Sequence, residues 1–210
     1  MFDLWKATHV REEQGMWTLS YQAIQNMQGA TSLIYYWLRP YGFNSDQAQS
    51  LAESLKEIKS GTIFRSTTFE VCLDREKLLL YPISTPFSEI ELTVGASTFE
   101  LPDGRYEITY GTKPELIDRN PNHALLDLDC LEFPLQLRSW QEGDRFNPLG
   151  MSSEKKLSDF LIDNKVPLPL KKEVKVLVSG NKIAWVIGMR IADWAKVSPA
   201  TQKYMHIQKR

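Results

Sequence analysis

Apolar residues recur at helical spacing in the first quarter of the chain and alternate with polar ones beyond it. Leu33, Ile34, Trp37 and Leu38 fall on one face of a helix. Pro40 and Gly42 end that segment, and Ser45 is the predicted N-cap of a second helix carrying Ala48, Leu51, Ala52, Leu55 and Ile58. Lys56 and Lys59 then occupy its last turn, where the helix dipole favours cations, and Gly61 is the predicted stop. The short Tyr41–Asn44 connection makes the two helices antiparallel neighbours. Residues 1–61 therefore read as a helical segment, packed around Trp17, Trp37 and the Tyr35–Tyr36 pair.

The period then changes to two. Phe69, Val71 and Leu73 alternate, Asp74–Glu76 turn, and Leu78 and Leu80 alternate again, which is a hairpin pattern. Ile90, Leu92 and Val94 continue it, as do Phe99 and Leu101. Pro102–Gly104 make a turn before Tyr106, Ile108 and Tyr110. A polar, Pro-containing loop at Lys113–His123 precedes Ala124–Leu128. Residues 62–133 read as mostly β. From 134 onward the pattern mixes: a strand at Leu135–Trp140, a loop at Gln141–Ser152, and a helix capped by Ser152 or Ser153 that carries Leu157, Phe160 and Leu161. Pro167 and Pro169 end that helix. Strands follow at Glu173–Ser179 and Ile183–Gly188 around Gly180-Asn181, and a last one at Tyr204–Ile207. The predicted class is α+β in three parts: helical 1–61, β-rich 62–133, and a small α+β domain over 134–210.

The chain is 210 residues long and 42% hydrophobic, enough to bury a sizeable core. No run of about 18 apolar residues exists, so no membrane-spanning helix is predicted. The opening MFDLWKATHVREEQG lacks a signal-peptide pattern and enters helix-like sequence directly. Met1 is therefore expected to be a cloning boundary, and the location cytoplasmic. Cys72 and Cys130 read as buried free thiols. His9, His123 and His206 have no partner at metal-ligand spacing, so no metal site is predicted. There is no GxxxxGK[ST], GxGxxG or GxSxG motif, and no carboxylate stands beside a recognisable acid or nucleophile. No catalytic residue is assigned.

Charge changes the picture more than composition does. Residues 138–210 hold 14 Lys and Arg against 7 Asp and Glu, whereas residues 1–137 hold 11 against 19. The middle, 62–137, carries 6 against 13 and should repel phosphate, which gives it a scaffold role. The basic residues concentrate around one loop. Gly143 and Gly150 let it bend and Pro148 stiffens it. Phe146 is the expected anchor. Arg138, Trp140 and Arg145 bring two guanidinium groups and an aromatic plane, and guanidinium clamps phosphate with paired hydrogen bonds. Lys155 and Lys156 fall in the first turn of the predicted helix, where a docked phosphate would offset their unfavourable position. Arg190 adds a further cation, and Asp144 and Asp159 are expected to orient these groups by pairing. Trp185 reads as core, whereas Trp140 and Trp194 stay open between packing and stacking on a base or ribose. The alternative is an interaction scaffold using Tyr35, Tyr36 and Trp194. A weaker one is an enzyme using Asp144 and Asp159.

These residues resemble the C-terminal domain of the tRNA(Ile)-lysidine synthetase family. Its pattern runs R-x-W-x-x-G-D-x-F-x-P-x-G, then K-K with a downstream D, then W-x-x-G-x-R-I and a late Thr. Here it is met by Arg138, Trp140, Gly143, Asp144, Phe146, Pro148 and Gly150, then by Lys155, Lys156, Asp159 and Asp163. Pro167, Trp185, Gly188, Arg190, Ile191 and Thr201 complete it. The preceding regions look like the middle part of the same family's longer form. The chain departs at Ser153-Glu154, where a glycine is frequent, and at Ala192-Asp193-Trp194, where a basic residue is lost. The resemblance implies a parent enzyme that joins lysine to the first anticodon cytidine of a minor isoleucine tRNA after ATP adenylates that base. It implies tRNA as partner, held near its acceptor stem, with Arg138, Trp140, Arg145, Lys155, Lys156 and Arg190 as candidate contacts. ATP and Mg belong to the family's catalytic N-terminal domain, whose SGGxDS loop is not in this sequence. That domain is a second expected partner, and a homodimer a third.

Overall fold

The computed structural model describes residues 2–13, 15–25, 27–56, 60–114 and 120–210. The chain divides into two compact units, Met1–Pro86 with Pro167–Pro169, and Phe87–Val166 with Leu170–Arg210.

The first unit runs α1 (Phe2–His9), β1 (Val10–Glu13), β2 (Met16–Ser20), α2 (Ala30–Leu38), α3 (Ser45–Ser54), β3 (Ile63–Arg65), β4 (Phe69–Asp74) and β5 (Lys77–Pro82). Its antiparallel sheet has the order β1-β2-β5-β4-β3. Ile34, Trp37 and Leu38 of α2 and Ala48 and Leu51 of α3 share one core with Leu19, Val71, Leu73, Leu78 and Leu80 of the sheet. The predicted helical segment 1–61 is thus corrected, because Val10–Glu13 and Met16–Ser20 are strands. β2 is fixed by partners some sixty residues away, Trp17 opposite Leu80 and Leu19 opposite Leu78, and local periodicity does not register them. The N-cap of α3 is Asn44 rather than Ser45. Its Oδ1 accepts the Gln47 N–H at 2.8 Å, while Gln47 Oε1 accepts the Asn44 N–H at 3.0 Å, a reciprocal capping box. The helix stops at Ser54, before Lys56; the predicted helix positions Ile58 and Lys59 lie outside the described residues.

The second unit runs β6 (Ile90–Leu92), β7 (Thr98–Leu101), β8 (Gly104–Thr112), β9 (His123–Asp127), β10 (Leu135–Ser139), β11 (Arg145–Phe146), β12 (Lys155–Lys156), α4 (Leu157–Asp163), α5 (Leu168–Glu173), β13 (Lys175–Ser179), β14 (Lys182–Val186), β15 (Arg190–Ile191) and β16 (Lys203–Lys209). One sheet has the order β15-β14-β13-β10-β6, another β7-β8-β16-β9, and β11 and β12 form a two-stranded ribbon. Leu135, Leu137, Leu177 and Trp185 of the first sheet pack with Tyr106, Leu126, Met205 and Ile207 of the second. The opposite face of the first sheet presents Val176, Val178, Ile183 and Val186 to Phe146, Leu157, Phe160 and Leu161. Burial on both faces is why β13 and β14 read as nearly continuous apolar runs.

The boundary predicted at 133/134 does not separate two bodies. β10 pairs with β6, Leu135 opposite Leu92, and β16 lies between β8 and β9, with Ile207 opposite both Ile108 and Ala124. The predicted β segment 62–133 is shared instead: β3–β5 belong to the first unit and β6–β9 to the second. Pro167 and Pro169 do not end a helix but begin one: α4 closes at Asp163, and Pro169 occupies the first turn of α5, where its missing N–H costs nothing. Residues 115–119 of the predicted loop lie outside the described residues. Cys72 is buried as predicted, whereas Cys130 is exposed, and the two are not joined in a disulfide. Among the described residues, no helix is long and apolar enough to cross a membrane.

Candidate nucleic-acid interface

The loop that follows β10 is closed by two left-handed glycines and a part-buried salt bridge. Gly143 and Gly150 have φ of +94° and +85°, a region that disfavours a side chain. Arg138 leaves β10 and donates through Nη1 and Nη2 to both oxygens of Asp144, each at 2.8 Å. Asp144 also accepts the Gln141 N–H at 2.8 Å, and its carbonyl takes the Leu157 N–H at 2.8 Å, tying the loop to the start of α4. Burial opposes ionisation of this carboxyl. The Arg138 and Gln141 hydrogen bonds outweigh burial and hold its pKa below the ordinary carboxylate value. The Arg138 and Asp144 side chains are only 15% and 12% exposed, so this guanidinium is committed to the fold.

Arg145 and Lys156 are placed differently. Lys155 and Lys156 do not lie in a helix. They form β12, antiparallel to β11, with Arg145 opposite Lys156 and Phe146 opposite Lys155. α4 begins only at Leu157, and its seven residues receive no side-chain cap from Lys156. Alternation along β11 turns Phe146 into the core, edge-on to Phe160 at 5.1 Å, and leaves Arg145 exposed. Two cations thus face each other across the ribbon, an arrangement that is unfavourable by itself. Glu154 relieves it in part, accepting from Arg145 Nε at 2.6 Å, but that pair is 45% and 57% exposed and correspondingly weak. Lys156 is exposed and has no charged partner among the described residues.

The remaining candidates are dispersed. Lys155 Nζ pairs with Asp163, not with Asp159, so the expected pairing partner is corrected by one helical turn. Trp140 is half-buried and donates its Nε1–H to the Lys171 carbonyl. Trp194 donates to the Ile183 carbonyl at 3.0 Å, with Lys182 over its ring. Arg190 is exposed on β15 and donates to the Leu149 carbonyl at 3.5 Å. Pro148 is buried and bridges to Ala192. The sequence reading missed Asp193, which accepts the Gly150 N–H at 3.1 Å and the Lys196 ammonium at 2.8 Å. Lys196 and then that N–H keep its pKa below the ordinary value. Thr201, the late Thr of the family pattern, donates its hydroxyl to Asp127 at 2.6 Å, a partner the pattern does not name. Nothing in the sequence links partners forty to seventy positions apart. Among the described residues no three His, Cys, Asp or Glu side chains cluster where a metal ion could bind. The site offers hydrogen-bond donors and positive charge.

Comparison with known proteins defines the class first. Residues 12–83 match the family model described as the TilS substrate binding domain, and residues 135–208 match the TilS substrate C-terminal domain. The chain belongs to the tRNA(Ile)-lysidine synthase family and corresponds to its C-terminal portion. It is 31% identical over 192 residues to the tRNA(Ile)-lysidine synthase of Parabacteroides distasonis, covering 89% of this chain and 43% of that protein. The Bacteroides thetaiotaomicron protein of the same name is 34% identical over 172 residues, covering 82% and 38%. The chain therefore spans about two fifths of the length of the curated relatives it matches. Among solved structures, a crystal structure of a TilS C-terminal domain superposes with a TM-score of 0.50 at 19% identity. It covers 58% of this chain and 95% of that one, a likeness of fold.

Proposed function

We propose that this chain holds tRNA for a tRNA(Ile)-lysidine synthase, with the exposed face of the β11–β12 ribbon on phosphate. The observation that carries this reading is the cross-strand Arg145–Lys156 pair. Like charges opposite one another are held there at a cost that a bound phosphate would remove. Arg190 of β15 and Trp140 are further proposed contacts. Recognition is of shape and backbone more than of base sequence, and the acceptor stem is the proposed target. The parent enzyme, in this reading, uses ATP and Mg in a preceding catalytic domain to join lysine to the anticodon cytidine. This chain contributes position and no chemistry, in the cytoplasm.

Filter binding of the chain to tRNA across salt tests the proposal. About four to six phosphate contacts give a log–log slope of roughly −3 to −5. Arg145→Glu with Lys156→Glu should weaken binding at least about tenfold and flatten that slope by about one to two. The melting temperature should hold, since exposed substitutions stay within about 0.5 kcal/mol. Salt-independent binding, or none, would sink it.

A second reading, as a docking scaffold for the catalytic domain or a second copy, is favoured by the first unit. There Leu4 and Tyr36 are 75% and 48% exposed, beside Phe2, with Arg39 over the Tyr36 ring. Trp194 does not join them, because its indole is spent on Ile183. Light scattering of the chain alone and mixed with the catalytic portion distinguishes this reading.

A further inference from the structure

A cavity of about 580 Å³ opens within the second unit, lined in part by Leu149 of the loop that joins β11 to β12 and by Arg190 and Ile191 of β15. Its volume suits one small ligand. The walls are apolar: Pro121 and Leu125 on one segment, Leu149, Met189, Ile191 and Val197 on others. The polar groups at the same cavity are Arg190, Lys196, Asn120 and His123. Asn120 Nδ2 lies 3.4 Å from His123 Nε2, so the polar edge is already organised. The walls are also tied together. The Leu149 N–H donates to the Ile191 carbonyl at 2.9 Å, the Asp193 N–H to the Asn147 carbonyl at 2.8 Å, and Leu126 bridges to Lys196. A site fixed this way loses little freedom on binding.

Arg190 is the informative residue. It reaches the cavity with its guanidinium exposed, and the long bond to the Leu149 carbonyl uses one of its five N–H donors. Among the described residues it pairs with no carboxylate. Lys196 is held by Asp193 but remains 44% exposed. An apolar slot with a free guanidinium at its mouth is a mixed demand. Inorganic phosphate leaves the slot empty, an aliphatic ligand leaves Arg190 unused, and a stacked duplex cannot insert a base. An unstacked nucleotide meets both requirements, with its ring between the apolar walls and its phosphate on Arg190.

We infer that this cavity binds one unstacked nucleotide carrying a phosphate, either from an unpaired stretch of RNA or as a free mononucleotide. The RNA source rests on the tRNA-holding reading above; the free nucleotide does not.

Calorimetry of the full chain with AMP and with adenosine reads the site directly. AMP should bind about tenfold or more tighter, the value of a charge-assisted bond, and Arg190→Ala should erase that difference. Val197→Trp fills the slot and should abolish AMP binding. Leu149→Trp does so from another wall, and whichever variant keeps the wild-type melting temperature decides. A blunt RNA duplex and the same duplex with a few unpaired 3′ nucleotides separate the sources. A tail that strengthens binding about tenfold in the wild type, and not in the slot-filled variant, assigns the site to RNA. Slot-dependent AMP binding without a tail effect assigns it to a free nucleotide. If tRNA binds but neither AMP nor the tail responds to the filled slot, the inference is wrong and the tRNA-holding reading stands. Slot-dependent AMP binding with no binding of tRNA leaves the inference standing and overturns that reading instead.

Discussion

Asp144 shows how one side chain organises the loop. It takes two bonds from Arg138 and one from Gln141, and its backbone carbonyl secures the first residue of α4. Its folded pKa lies below the unfolded value of about 3.9, so its contribution is complete above that value and disappears as pH falls through the folded pKa. Asp144→Asn removes the charge and leaves Arg138 without its partner. We expect a loss of about 3 kcal/mol at neutral pH, together with a flatter acid limb below about pH 4, measured by urea unfolding across pH. An unchanged acid limb would show that another carboxylate controls it. The motif places Arg138 and Asp144 six positions apart, and that much is legible. What is not legible is that the pair is mostly buried, which separates Arg138, a structural cation, from Arg145, an exposed one.

At the scale of elements, the β11–β12 ribbon is where local reading and structure part. Ser152 and Ser153 look like caps and the apolar spacing after them is helical, so Lys155 and Lys156 read as a first turn. The strand forms instead because pairing Lys155 with Phe146 drives Phe146 against Phe160, Val176 and Val178. That pairing puts Arg145 and Lys156 together, which a helix would not have done. The ribbon depends on the turn before it. Gly143 sits at φ +94° with open space where a Cβ would stand, so the cost of Gly143→Ala is conformational and not steric. It should amount to about 1–2 kcal/mol by chemical denaturation. Loss of tRNA affinity without loss of stability would place Gly143 at the interface itself.

For the whole molecule, charge and compactness divide the chain differently. The basic stretch 138–210 belongs to a unit that also contains the acidic residues 87–137, so Phe87–Arg210 holds 17 Lys and Arg against 17 Asp and Glu. The asymmetry lies inside one unit, between strands that pair with each other, and the basic part, 138–210, and the acidic part, 87–137, cancel within it. Limited proteolysis tests the division. Residues 83–86 are exposed and outside any strand, and cleavage there should release two persistent fragments of about 1–86 and 87–210, identified by mass. First cuts in the 141–152 loop would argue that the Arg138–Asp144 bond does not hold it.

The sequence alone determined the α+β class, the strands whose apolar residues alternate, the glycines of the 141–152 loop and the family, because each rests on spacings within about twenty residues. Tertiary structure decided the rest: that Val10–Glu13 and Met16–Ser20 are β, that β16 joins β8 and β9, that Lys155–Lys156 is a strand, and that Arg190 shares a cavity with Pro121 and His123. The physical reason is the same in each case. A strand gains its hydrogen bonds, and a cavity its walls, from residues that are neighbours only after the chain has folded, so no local pattern marks them.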